Sequence, residues 1–437
     1  LTRKLPIGPM ARNLFATAGV QIVVALLSLI SGPLQARGLG PEGRGQLAVV
    51  LVIGQIAAFL SDAGTLGYVI RERARGRPRG VLIGSVLPIL AVSFALWAIA
   101  AWPLALVFGK GDPTLTIMIL AQLTLLPFTA ATQLGSGVAL AEERWRIMMI
   151  IRLTVAVVPV LGLLVLFLSD RMSVQSACIC YFVATIIAAI PALALCLRSR
   201  PLVFSWSITL DAWRFGRVSM LTILITMGNT RADVLIVSQF LSLRDAGLYA
   251  VASILASMPL MLTSAVAQSL SRRLSLSSLG AETARASRLL LLVMAVICIG
   301  VAGAAPFVLP WLFGSAFRES VPILWILLFG TLCASPSNFL GYATSLAGHP
   351  KSAAFAQLIG VVVMAVTMIF LVPAWGLIGA AIGSALSYAA SAGVLLRNAH
   401  GTSGIQWCSY IIPTARDVRD VVLLIRRKLS IVFGRPL

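Results

Sequence analysis

The sequence predicts an all-α polytopic membrane protein with twelve transmembrane helices in two six-helix bundles. Three observations carry this. Of 437 residues, 59% are hydrophobic and 11% charged, against roughly 45–50% and about 25% in an ordinary soluble domain. Apolar runs recur down the whole length, each long enough for a helix of about 20 residues to cross the hydrocarbon layer. The polar connections between these runs alternate sharply in positive charge.

Taken in order, the apolar segments lie at about 14–36, 46–70, 81–108, 114–141, 147–168, 174–197, 210–237, 246–271, 286–313, 320–347, 351–372 and 375–396. The first is longer than a signal-peptide core and lacks a small-residue cleavage site, so it reads as a retained helix. A glycine-rich turn, Gly38 to Gly45, separates it from the second, and the basic run Arg71 to Arg79 separates the second from the third. His349 and Pro350 mark a helix boundary before the eleventh. Helices are the expected spanning element because lipid cannot satisfy the backbone of an open strand. A barrel would show strands of about ten residues with alternating polarity, and these segments do not.

Charge placement orients the segments. Of the 34 Lys and Arg, 26 fall on one side, among them Arg12, Arg71–Arg79, Arg144, Arg146, Arg214, Arg217, Arg288 and the C-terminal arginines. Six fall on the other: Arg37, Arg44, Lys110, Arg171, Arg244 and Arg318. Arg152 and Arg231 lie inside segments. The positive-inside rule then puts both termini in the cytoplasm and requires an even number of crossings. The formal net charge of +20 is therefore mainly a topology signal, with anionic membrane lipids as its surface partner. Nucleic acid is not the expected partner, since the basic residues form no single domain or helix face. Residues 400–437 form a basic cytoplasmic tail, read either as an interfacial amphipathic helix around Arg416 to Arg427 or as a frayed end.

The chain also resembles itself at an offset near 202. Gly38-Leu39-Gly40-Pro41-Glu42-Gly43-Arg44-Gly45 aligns with Phe240-Leu241-Ser242-Leu243-Arg244-Asp245-Ala246-Gly247, and Leu134–Ala141 aligns with Leu340–Ala347 at an offset of 206. This predicts halves at 1–200 and 201–399. Because six crossings is an even number, the repeats are parallel, an arrangement suited to alternating access.

Charged groups inside the membrane mark cavities or partners. Asp62 falls in the second segment; Asn229, Arg231 and Asp233 fall in the seventh. Arg231 either meets an anionic group in a cleft or ties to another helix, and Asp62 either couples transport or braces the break before Gly64 and Gly67. Arg37, Arg44 and Arg71 flank the first two segments, where a planar guanidinium suits phosphate, although topology alone also explains them. Gln55, Gln122, Gln133 and Gln357 add neutral polar groups. No catalytic constellation is visible, and no cofactor or metal is implied. The two histidines and six cysteines lack ligand spacing, and Gly38 to Gly45 has no GxxxxGK pattern.

Two stretches carry a family resemblance. They are Ala36-Arg37-Gly38-Leu39-Gly40-Pro41-Glu42-Gly43-Arg44-Gly45 followed by Asp62-Ala63-Gly64, and Asn229-Thr230-Arg231-Ala232-Asp233 leading through Phe240-Leu241 to Ala246-Gly247-Leu248-Tyr249-Ala250-Val251-Ala252. With these the chain resembles the oligosaccharide/polysaccharide flippase family of the MATE-like MOP exporter superfamily. The resemblance implies transport of an undecaprenyl-diphosphate-linked oligosaccharide across the bacterial inner membrane, with no covalent chemistry. Polysaccharide polymerase or glycosyltransferases are the implied protein partners. It also implies substrate contacts at Arg37, Arg44, Arg71, Arg231 and Asn229, with Asp62 and Asp233 as coupling or structural groups. A multidrug cation antiporter and a lipid II flippase are the competing readings. The first expects an acid in the early helices, where helix one has none, and the second expects two further C-terminal helices.

Overall fold

The computed structural model describes residues 7–198, 201–261, 263, 280–346, 350–417 and 419, and these are helical with turns and no strand. Helix α1 (Ile7–Ser61) is interrupted at Gly40, whose φ of 66° only glycine adopts readily; Pro41 follows, with φ preset for a new helix. At 55 residues a straight helix would measure about 80 Å, far more than the roughly 30 Å of hydrocarbon. α1 therefore holds the first two crossings. The second is not continuous to residue 70, as its apolar run suggests. It stops at Ser61, turns through Ala63 (φ 48°) and Gly64 (φ 70°), and restarts as α2 (Thr65–Ala74).

Four crossings follow: α3 (Arg79–Gly109), α4 (Pro113–Thr124) with α5 (Leu126–Ala141), α6 (Trp145–Leu168) and α7 (Val174–Leu197). Their starts have local causes. Asp112 accepts from the Thr114 and Leu115 amides at 2.8 and 3.4 Å with Pro113 behind it, and Ser173 and Ser176 cap α7 reciprocally. Beyond these come α8 (Trp206–Phe240) and α9 (Leu243–Ser257), the latter capped by Ser242 and Asp245. α10 (Ala281–Phe313) leads through a short 3₁₀ turn, Ser315–Glu319, to α11 (Ser320–Leu346). α12 (Pro350–Ser403) is interrupted at Gly376 (φ 57°) and holds the last two crossings. A Cβ on Gly379 would run into the Leu371 carbonyl, so the two arms of α12 fold closely at this turn. With α9 opening the eighth crossing, the result is an all-α polytopic membrane protein of twelve crossings. The expected boundary at His349 lies outside the described residues.

The chain forms two compact units, Leu1–Met227 with Ser242–Gly247, and Gly228–Leu241 with Leu248–Leu437. In the first, Tyr68, Leu82, Val86, Leu134, Val138 and Met148 form a buried cluster. Small residues let its helices approach: a Cβ on Gly135 would stand 2.5 Å from that of Ala192. Within this unit the 202-residue offset reappears as a reciprocal contact. A Cβ on Gly45 would strike the Leu243 carbonyl, and one on Gly247 would strike the Pro41 carbonyl. Pro41 and Leu243, like Gly45 and Gly247, are counterparts in the aligned repeat.

The second unit is built on Leu290, Met294, Phe339, Leu340, Leu395 and the fully buried Tyr410. Tyr410 belongs to a short helix, α13 (Cys408–Ile411). The start of the C-terminal segment is thus docked on its unit. Arg288 bonds Asp417 at 2.8 Å and the Ser409 carbonyl, while Thr414 donates to Asp417 through its backbone N–H at 3.0 Å and its hydroxyl at 2.7 Å. Most of the stretch from Arg416 to Arg427 lies outside the described residues. Outward-facing positions are strongly apolar, with Ile99 75% and Phe307 79% exposed, as surfaces solvated by lipid require.

Candidate functional site

The first unit contains a cavity of about 690 Å³ between α1, α2, α5, α6 and α7. Its polar lining is Ser28, Ser31, Gln55, Thr132, Gln133, Ser136, Arg152 and Tyr181, and among the described residues Arg152 is the single charged one. Arg152 sits seven residues into α6, about 10 Å along the helix axis. No hydrogen bond or ion pair holds its guanidinium among the described residues. Serine hydroxyls and glutamine amides around one cation match a ligand that combines negative charge with hydroxyl groups.

A second cavity of about 280 Å³ opens beside the first. It is lined by Asp62, Gly64, Ser219, Thr222 and Thr226, and shares Leu66 and Gln133 with its neighbour. Gln133 also donates to the Ala58 carbonyl at 3.2 Å. The Asp62 carboxylate accepts the Gly64 amide at 2.8 Å, and the Thr65 hydroxyl donates to the Asp62 carbonyl at 2.7 Å. Asp62 thereby holds the helix break at the cavity wall. Gly64 is needed there, because a Cβ would run into the Gly216 carbonyl of α8.

In the second unit a buried polar chain joins α8, α9 and α12. Asn229 donates to Gln357 and accepts from Ser387 at 2.6 Å. One turn later, Asp233 accepts from the Tyr249 hydroxyl at 3.0 Å, and that hydroxyl pairs with Ser384 at 2.8 Å. Asn229 and Asp233 are each 3% exposed and share a helix face at spacing i, i+4. Arg231 lies between them in sequence, half-buried.

The other expected contacts are distributed differently. Arg37 is exposed near the end of the first arm of α1. Arg44 is 5% exposed, in electrostatic contact with Tyr181, and its Nε and Nη1 have no hydrogen-bond partner among the described residues. Tyr181 in turn accepts from Gln35 at 2.6 Å and lines the larger cavity. Arg71 pairs with Glu72 at 3.0 Å and lies 4.6 Å over the Phe215 ring. Glu72 also holds Arg75 and Arg77, while Glu142 holds Arg73, Arg79 and Arg144. Two glutamates thus organise six arginines between residues 71 and 144. None of Arg37, Arg44 and Arg71 is among the described residues lining either of these two cavities.

Sequence reasoning passed over Arg152, whose signal was a cation inside an apolar segment six residues after the basic Arg146. Among the described residues no group of His, Cys, Asp or Glu is placed to hold a metal ion.

The sequence pattern of a family described as "Polysaccharide biosynthesis protein" matches residues 10–271, more than half of the chain. No protein with a curated description matches. Among solved structures, the chain is similar to the lipid II flippase MurJ in an inward closed conformation, with a TM-score of 0.72 and 13% identity over 88% of this chain and 87% of that one. It is equally similar to an inward-facing multidrug resistance MATE family transporter of the MOP superfamily, at 0.72 and 13% over 86% and 94%. The MATE multidrug transporter DinF-BH follows at 0.59 and 17%, over 92% and 99%. At these identities the likeness is one of fold.

Proposed function

Since the chain belongs to the polysaccharide biosynthesis protein family and carries the MATE/MOP exporter fold, we propose that it transports a lipid-linked oligosaccharide by alternating access. The substrate is an undecaprenyl-diphosphate-linked glycan, moved from the cytoplasmic to the outer face of a bacterial inner membrane for cell-surface polysaccharide biosynthesis. Both termini lie in the cytoplasm. The observation that carries this reading is the lining of the 690 Å³ cavity, which among the described residues has one arginine, no acid, and a ring of amides and hydroxyls. An organic cation would find no countercharge there, whereas a diphosphate finds a guanidinium and sugars find hydrogen-bond partners.

Arg152 is the foremost phosphate contact in this reading. Arg44 reaches the cavity wall through Tyr181, and Arg37, Arg71, Arg231 and Asn229 serve as contacts along the route. Asp62 and Asp233 organise the helix break and the buried chain, and couple movement to its driving force. Transport needs no bond to be made or broken, and polymerase or glycosyltransferase partners would supply and consume the substrate. Reconstituted vesicles loaded with a defined lipid-linked glycan test the proposal: protein-dependent appearance of glycan on the opposite leaflet supports it. Movement of a fluorescent organic cation without movement of the glycan would replace it with the antiporter reading.

A further inference from the structure

The second unit has a groove of its own, about 720 Å³ in volume, between α10, α11, α12 and α13. Its walls are almost wholly apolar, with Leu291, Leu332 and Leu396 among them, and its polar lining is Arg397 and His400, beside Trp407. Arg397 and His400 lie three residues apart on one face of α12. Arg397 has no ion pair or hydrogen bond among the described residues. The nearby acid, Asp417, is already held by Arg288 and Thr414. The His400 Nδ1 stands 2.9 Å from the Ile405 carbonyl, which leaves the Nε2 edge of the ring uncommitted. Trp407 is 55% exposed, the placement of an aromatic ring at a membrane–water interface.

The geometry points to a resident anionic phospholipid in this groove, its phosphate at Arg397 and His400 and one acyl chain along α12. Three features select that occupant. α10, α11 and α12 are long and apolar enough to cross the membrane, so hydrocarbon at their surface comes from lipid. The rim carries Arg397 and, among the described residues lining it, no acid, which makes it complementary to a phosphodiester and not to an ammonium group. The lining on α12 runs from Ala389 to His400, about 16 Å of helix, the length of an ordinary acyl chain and several-fold shorter than a polyprenyl chain. The tail helix completes the site: Tyr410 is fully buried in the unit's core, while Trp407 and Ile411 of the same segment face the groove. Lipid occupancy and docking of the C-terminal segment therefore support one another.

The test uses the full chain, purified in detergent and titrated with dioleoyl phosphatidylglycerol, dioleoyl phosphatidylcholine or undecaprenyl phosphate, with retained lipid read by native mass spectrometry. We expect phosphatidylglycerol to be retained preferentially, and Arg397→Ala to lower its retention about fivefold without changing the melting profile. Leu332→Trp, which fills the groove and leaves Arg397 and His400 in place, should lower it as well. Equal retention of the two phospholipids, unchanged retention in Arg397→Ala, or displacement of phosphatidylglycerol by equimolar undecaprenyl phosphate would each overturn the assignment. If Leu332→Trp does not fold, the Arg397→Ala comparison decides alone.

Discussion

Tyr249 bridges Asp233 and Ser384, its hydroxyl donating to the first and accepting from the second, inside an apolar unit and with its ring fully buried. Tyr249→Phe keeps the ring and removes the hydroxyl, leaving both partners short of a bond. The cost is about 1–3 kcal/mol, visible as a lower melting temperature in detergent. At Gly64, a side chain meets both a left-handed backbone (φ 70°) and the Gly216 carbonyl. Gly64→Val should therefore destabilise the first unit by more than the roughly 1–3 kcal/mol of backbone strain alone, measured in the same way. At this scale the sequence was half legible. Asn229 and Asp233 stood out because charge and amide are rare in a spanning segment. Their partners Ser384 and Ser387 did not, because a pairing across more than a hundred residues leaves no local pattern. Arg152 stood inside a segment in the sequence, but nothing in the local pattern showed that its helix face lines a cavity.

Helix boundaries followed local chemistry wherever that chemistry was strong. The Gly-Pro step at Gly40, the Asp112–Pro113 start and the Ser173 cap each mark a boundary that the structure carries. The breaks at Asp62–Gly64 and at Leu125 are different: a charge before two glycines marks the first in the sequence, while apolar composition runs through the second. The first is fixed by the Asp62 carboxylate and close approach to α8, a tertiary cause. The C-terminal segment shows the same dependence. Burial raises the proton affinity of Asp417, yet hydrogen bonds from Thr414 and Arg288 outweigh it and hold the carboxyl at about 2. An acid depressed in the folded state stabilises above its ordinary value of 3.8 and loses that contribution as pH falls through about 2. Limited proteolysis of the tail should accordingly be unchanged between neutral pH and about pH 5. Asp417→Asn should expose the tail to cleavage at neutral pH; equal cleavage of both proteins would show that the anchor lies elsewhere.

Across the whole molecule, composition and charge asymmetry were enough to give the class and the number of crossings, because the bilayer imposes both. The reciprocal contacts of Gly45 and Gly247 join positions that the 202-residue offset aligns. What composition could not supply was the lining of a cavity, which depends on which helix faces turn inward. Orientation has its own test. Single cysteines placed at Lys110 or Asp170 in a cysteine-free background should react with an impermeant maleimide in intact cells, whereas one at Arg77 should react only after permeabilisation. The reverse pattern would invert the assignment of the cytoplasmic face.

The central claim rests on Arg152 and is tested most directly by the rate at which reconstituted protein moves an undecaprenyl-diphosphate-linked glycan. Arg152→Gln removes the cavity's charge while keeping a polar side chain, and should lower that rate by about tenfold or more at an unchanged melting temperature. Arg152→Lys should retain part of it. A glutamine variant that folds normally and transports at the wild-type rate would contradict the account.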